Sequence, residues 1–163
     1  MTAIVYFLSQ QKYTIDEIYS YVAKVGKKYG YKGTRGTPFI TIRKIFHEVL
    51  KKFKLPKAYV KYGKNLGFTF KTIQKELGKG NPLILSLNDD GRDYYENHSI
   101  TVIGYEIYKC GSKEIIMLAV QDNWYKSVGY VDFDKMSAVS SVHYSGTTPY
   151  QKLMAWRKLK NLK

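Results

Sequence analysis

Asn97-His98-Ser99-Ile100-Thr101-Val102-Ile103-Gly104-Tyr105, then a loop at Cys110-Gly111, then Ile115-Ile116-Met117-Leu118-Ala119-Val120-Gln121-Asp122-Asn123-Trp124, is the stretch whose reading decides the fold. Two apolar runs rich in β-branched residues and joined by a glycine-containing turn read as a β-hairpin. Pairing symmetric about Cys110-Gly111 sets position 98 opposite position 122, where Cβ atoms lie about 4.5–5.5 Å apart. A carboxylate at that range can bond one imidazole nitrogen and fix the tautomer, so that the other nitrogen can take a proton from a thiol or a water. The spacing therefore predicts a His98–Asp122 pair at the open end of the hairpin.

On either side of the hairpin, Pro82-Leu83-Ile84-Leu85-Ser86-Leu87 and Gly129-Tyr130-Val131-Asp132-Phe133 read as further strands. The first half of the chain is different. Thr14-Ile15-Asp16-Glu17 is a capping box, and Ile15, Ile18, Tyr19, Val22 and Val25 come after it at helical spacing. Gly30 and Gly33 interrupt, and Thr37-Pro38 offers a second start, with Thr37 as cap and proline in the first turn. Phe39, Ile42, Phe46, Val49, Leu50 and Phe53 form one apolar stripe up to Leu55-Pro56. A short strand is expected at 58–62, and a short helix at 70–77 with Thr69 as its cap. Helices followed by sequential strands predict an α+β domain with a largely antiparallel sheet over residues 1–145. Residues 146–163 read as a basic amphipathic tail with Tyr150, Leu153, Trp156 and Leu159 on one side.

The 163 residues carry a formal net charge of +14. Between Lys24 and Lys64 thirteen Lys/Arg face the single acid Glu48, whereas Asp89, Asp90, Asp93 and Glu96 gather just ahead of His98. Such asymmetry suits either a solvated lysine-rich surface or a face for a polyanion such as nucleic acid or a cell-wall polymer. No apolar run approaches the roughly 20 residues of a membrane span, and the opening residues lack the pattern of a signal peptide. The compartment stays open between cytoplasmic and, if a presequence precedes Met1, secreted. One cysteine excludes an internal disulfide, and three histidines with one cysteine show no metal-ligand spacing, so neither cofactor nor metal is expected.

The segment Asn97-His98-Ser99 leading into an apolar strand that ends Gly104-Tyr105 resembles the histidine strand of papain-like cysteine peptidases. Asp122-Asn123-Trp124 is similar to their Asn-Ser-Trp, and Gly129-Tyr130 falls where a Gly-Tyr strand comes next. Gly36-Thr37-Pro38 and Gly80-Asn81-Pro82 resemble the bacterial double-glycine (bacteriocin-processing) branch. The resemblance covers roughly residues 1–140 and is specific over 97–133. It implies a papain-like fold, with N-terminal helices packed on the sheet. It also implies His98 as proton shuttle, Asp122 as its orienting acid, with Asn123 the fallback if the register slips by one, and Trp124 as a shield over that bond.

The chain departs from the family at the nucleophile. In the family a cysteine opens the first long helix, and Met1-Thr2-Ala3-Ile4-Val5-Tyr6-Phe7-Leu8 resembles the helical run just after that cysteine, so the thiol and the oxyanion donor would precede residue 1. Cys110 is no substitute: nine residues of strand at about 3.3 Å each put it roughly 30 Å from His98. Two readings are open. One is a cysteine peptidase relative that hydrolyses a peptide or isopeptide bond once a cysteine is supplied, and is inactive as the chain stands. The other is a non-catalytic pseudoenzyme that binds a polyanion through its basic face. His47 on a lysine-rich helix reads as a surface residue, and His143 beside Tyr144 follows the strands with no partner that the sequence names.

Overall fold

Thr14 opens a helix because its hydroxyl and Glu17 satisfy each other's neighbouring amides. Glu17 N–H donates to Thr14 Oγ1 (3.1 Å) and Thr14 N–H to Glu17 Oε2 (2.8 Å). The computed structural model describes residues 1–32, 37–55, 58–62, 69–87, 98–125, 127–136 and 138–144. The acidic group at 89–96, the glycines at 33 and 36, and the tail at 146–163 lie outside the described residues. The chain is α+β and divides into two compact units, one built on Met1–Tyr59 and the other on Val60–Gly78 with Pro82–His143.

The first unit contains α1 (Thr2–Leu8), α2 (Ile15–Lys28) and α3 (Phe39–Lys52). Ile4, Val5 and Leu8 of α1, Ile18 and Val25 of α2, and Ile42, Ile45, Phe46, Val49 and Leu50 of α3 are buried. Their three- and four-residue spacing is what a helix needs to bury one face. Phe53 closes this core, with Tyr13 edge-on at 4.8 Å and Tyr21 at 5.9 Å between ring centroids. Two expectations are corrected. Ile15 and Tyr19 stand exposed, so the buried stripe of α2 is narrower than its spacing suggests. Pro38, not Thr37, is the N-cap of α3: its ψ of 127° is extended, so helical geometry begins only at Phe39, with no side-chain cap.

The second unit is built on a six-stranded sheet in the order β1-β6-β2-β3-β4-β5. The strands are β1 (Ala58–Tyr62), β2 (Leu83–Leu87), β3 (Ser99–Cys110), β4 (Lys113–Gln121), β5 (Gly129–Asp132) and β6 (Ala138–Tyr144). The β2–β3, β2–β6, β3–β4 and β4–β5 pairs are antiparallel. All five residues of β2 are buried, as befits an inner strand that is apolar at almost every position. Helix α4 (Phe70–Gly78) carries Ile73 into a cluster with Leu83, Leu85, Leu87, Ile100, Val102, Leu118 and Val120. Phe70 packs edge-on to Tyr105 at 5.0 Å. Strand β6 is absent from the sequence reading. It enters the sheet beside β2, through pairs such as Ile84↔Val142, although β3, β4 and β5 all intervene in the chain, a partnership that local patterning does not encode.

Candidate functional site

The β3–β4 hairpin closes through Gly111 and Ser112, with Cys110 opposite Lys113 and Gly111 in the left-handed region at φ 62°. Near the open end the pairing steps from Gly104↔Ala119 to Val102↔Val120, which leaves Ile103 as a β-bulge. Bulges add a residue to one strand and shift everything beyond it. Placing the turn centre at Gly111-Ser112 moves the partner of position 98 three residues along, and the bulge takes one back. Continued outward from Thr101↔Gln121, the register therefore brings His98 level with Trp124 rather than with Asp122. The shift is even, so the residues concerned keep the same face.

The side chains meet accordingly. The rings of His98 and Trp124 are stacked with centroids 4.3 Å apart and an interplanar angle of 28°. The contact between His98 and Asp122 is from the imidazole Nε2 to the main-chain carbonyl oxygen of Asp122, at 2.7 Å. The sequence reading set the carboxylate there. The carboxylate instead turns back on its own chain, where Oδ1 accepts the N–H groups of Trp124 (2.9 Å) and Tyr125 (3.1 Å). This is the local capture that Asp favours at turns. It holds Asn123 at φ 67°, a conformation that Asn tolerates, and swings Trp124 over the imidazole.

His98 is anchored from the other side as well. Its carbonyl accepts the Leu87 N–H at 2.7 Å, extending the β2–β3 ladder past Ser86↔Ser99. The imidazole is half-buried, Asp122 is only 3% exposed, and Trp124 is 51% exposed, so the indole forms the outer wall of the site. A carbonyl oxygen only accepts, so the neutral His98 ring carries its proton on Nε2, and Nδ1 is the basic nitrogen. The arrangement can hold an imidazole in one tautomer and one orientation, with one face covered.

The remaining candidates fall elsewhere. Asn123 is exposed and serves the turn. Cys110 is a free, exposed thiol at the closed end of the hairpin. His47 lies on α3 in a groove with Lys44 and Glu48. His143 sits in β6 opposite Leu83. Among the described residues no three His, Cys, Asp or Glu side chains are placed to share a metal ion, and no helix is long and apolar enough to cross a membrane. The Asp122 carbonyl is the contact that sequence reading missed. Every residue has a carbonyl, so only the turn geometry singles this one out. A family model described as Peptidase_C39 like family matches residues 5–151. No curated protein matches the chain.

Proposed function

This chain belongs to the Peptidase_C39-like family, and on that premise we propose that His98, Asp122 and Trp124 are the histidine arm of a thiol-dependent site that hydrolyses peptide or isopeptide bonds. The observation that supports this reading best is the 2.7 Å bond from His98 Nε2 to the Asp122 carbonyl under a stacked Trp124. It fixes the tautomer in which Nδ1 is free of its proton, as a general base must be. In the proposed reaction His98 Nδ1 takes the thiol proton, the thiolate attacks the scissile carbonyl, and the imidazolium returns that proton to the leaving amine. Water then attacks the thioester with His98 again as base, which releases the acid and restores the thiol. Asp122 acts through the turn it ties, and Trp124 keeps water from the Nε2 bond.

The 163 residues hold one cysteine, and Cys110 stands at the wrong end of a long hairpin, roughly 40 Å from His98 at about 3.3 Å per residue along the twelve residues of β3. The thiol of the proposed reaction is therefore supplied from outside these 163 residues, and the chain by itself forms no acyl-enzyme. A thiol-reactive peptide probe tests this with two proteins: the 163-residue chain and one extended upstream through the first encoded cysteine. Probe adduct is expected only on the extended chain, at the added cysteine, and is expected to fall at least tenfold in His98→Ala at neutral pH. Labelling that persists in His98→Ala, with the fold intact by circular dichroism, overturns the assignment.

A further inference from the structure

Helix α3 places Lys44, His47, Glu48, Lys51 and Lys52 along one side, because residues three, four, seven and eight apart share a helical face. Within the same unit, Tyr21 and Lys28 of α2 and Tyr29 at its C-terminus face them across an open groove of about 680 Å³. Its single carboxylate is already neutralised. Lys28 Nζ bonds both oxygens of Glu48, at 3.1 and 3.0 Å, and the Tyr29 hydroxyl donates to Oε2 at 2.9 Å. The Lys28 bond, then the tyrosine's, holds the Glu48 carboxyl below its ordinary range, so it stays ionised and matched. That leaves Lys44, Lys51 and Lys52, none of which forms an ion pair among the described residues.

The two tyrosines act as backstops for the charges. Lys52 Nζ lies 5.8 Å from the Tyr21 ring centroid and Lys28 Nζ 5.3 Å from that of Tyr29, both at cation–π range. Tyr21 is also packed edge-on against Phe53, so its ring is held between a core side chain and an ammonium group. Each ring already has an ammonium over one face, so a base stacking there would have to displace it. From Lys44 to Lys52 the stripe runs about 12 Å at 1.5 Å per residue, a length that suits a linear anion with several charges over a single small one. The groove between two helices is also too small to take in a duplex, whereas a single strand can lie along it.

We infer that this groove binds a flexible single-stranded phosphodiester chain through its phosphates, without regard to the bases. The inference is independent of the peptidase reading, since its test reads binding only. Fluorescence anisotropy with a labelled twelve-residue oligothymidylate and an abasic oligonucleotide of equal length provides that test. With three lysines each releasing about 0.7 counterion, log K should fall with log salt at a slope of about −2, a loss of roughly 20-fold between 50 and 200 mM. Both oligonucleotides are expected to bind alike. The triple variant Lys44→Ala/Lys51→Ala/Lys52→Ala is expected to lose the slope, and Lys71→Ala/Lys75→Ala/Lys113→Ala to keep most of it, with both folds verified by circular dichroism. Three outcomes overturn the inference: equal weakening by the two triples, a clear preference for the base-bearing strand, or equally tight binding of poly-glutamate of matched charge.

Discussion

Replacing Asp122 separates the two jobs a buried carboxylate can have beside a histidine. In Asp122→Ala the N–H groups of Trp124 and Tyr125 lose the acceptor that the structure gives them. Hydrogen bonds to a charged group contribute about 1.5–3 kcal/mol each, and the lower figure applies because both residues are more than half exposed and water can re-solvate them, so the pair is worth roughly 3 kcal/mol. Asp122→Asn keeps Oδ1 as a neutral acceptor of about half the strength, and should cost about 1.5 kcal/mol. For a chain of this size about 1 kcal/mol is a shift of roughly 2–4 °C, so Ala should lower the melting temperature about twice as far as Asn. Thermal unfolding followed by near-ultraviolet circular dichroism reads both quantities, since release of the turn also frees Trp124 from the His98 ring. Equal losses in the two variants, or none in either, would refute the view that the carboxylate works by tying this turn.

Nitrogen-15 spectra of the neutral His98 ring should show the proton on Nε2, and a dominant Nδ1–H tautomer would contradict the carbonyl contact at 2.7 Å. Thr14→Ala breaks the capping box of α2 and is expected to cost about 1 kcal/mol in urea unfolding; no change would mean that the cap does not limit the helix. The Thr14 backbone amide, then its hydroxyl, holds the Glu17 carboxyl below its usual value near 4.5, and the Lys28 bond does the same for Glu48. Folded values depressed below unfolded ones give stability that is present above about pH 4.5 and is lost as pH falls through the depressed values. Glu17→Gln/Glu48→Gln should therefore flatten the acid limb of a stability–pH curve, and an unchanged limb would count against both bonds. Leu118→Ala, at a fully buried position between β3 and β5, should cost about 2–5 kcal/mol, with a smaller loss pointing to a sheet that repacks.

What was legible in the residues was local or nearly so. Thr14 and Glu17 lie within one helical turn and need nothing else to form a capping box, and the spacing of Ile42, Phe46, Val49 and Leu50 marks a buried face wherever that face is applied. The hairpin was legible for the same reason: two apolar runs flank one short turn, and His98, Asp122 and Trp124 had to gather at its open end. Which atoms meet there was not legible. A two-residue turn at Gly111-Ser112 and a bulge at Ile103 each move the register by small integers, and their combination moves the partner of His98 from Asp122 to Trp124. The Gly111-Ser112 turn does carry the signature of a two-residue hairpin loop, whereas the bulge at Ile103 has none: Gly104 takes only an ordinary contact with Ala119. Strand β6 shows the same limit at longer range, since its place beside β2 depends on closing a long loop that no segment can specify by itself. Residue type and spacing chose the elements and collected the site. The hydrogen-bond register, a property of two strands together, chose the carbonyl over the carboxylate as the partner of the imidazole.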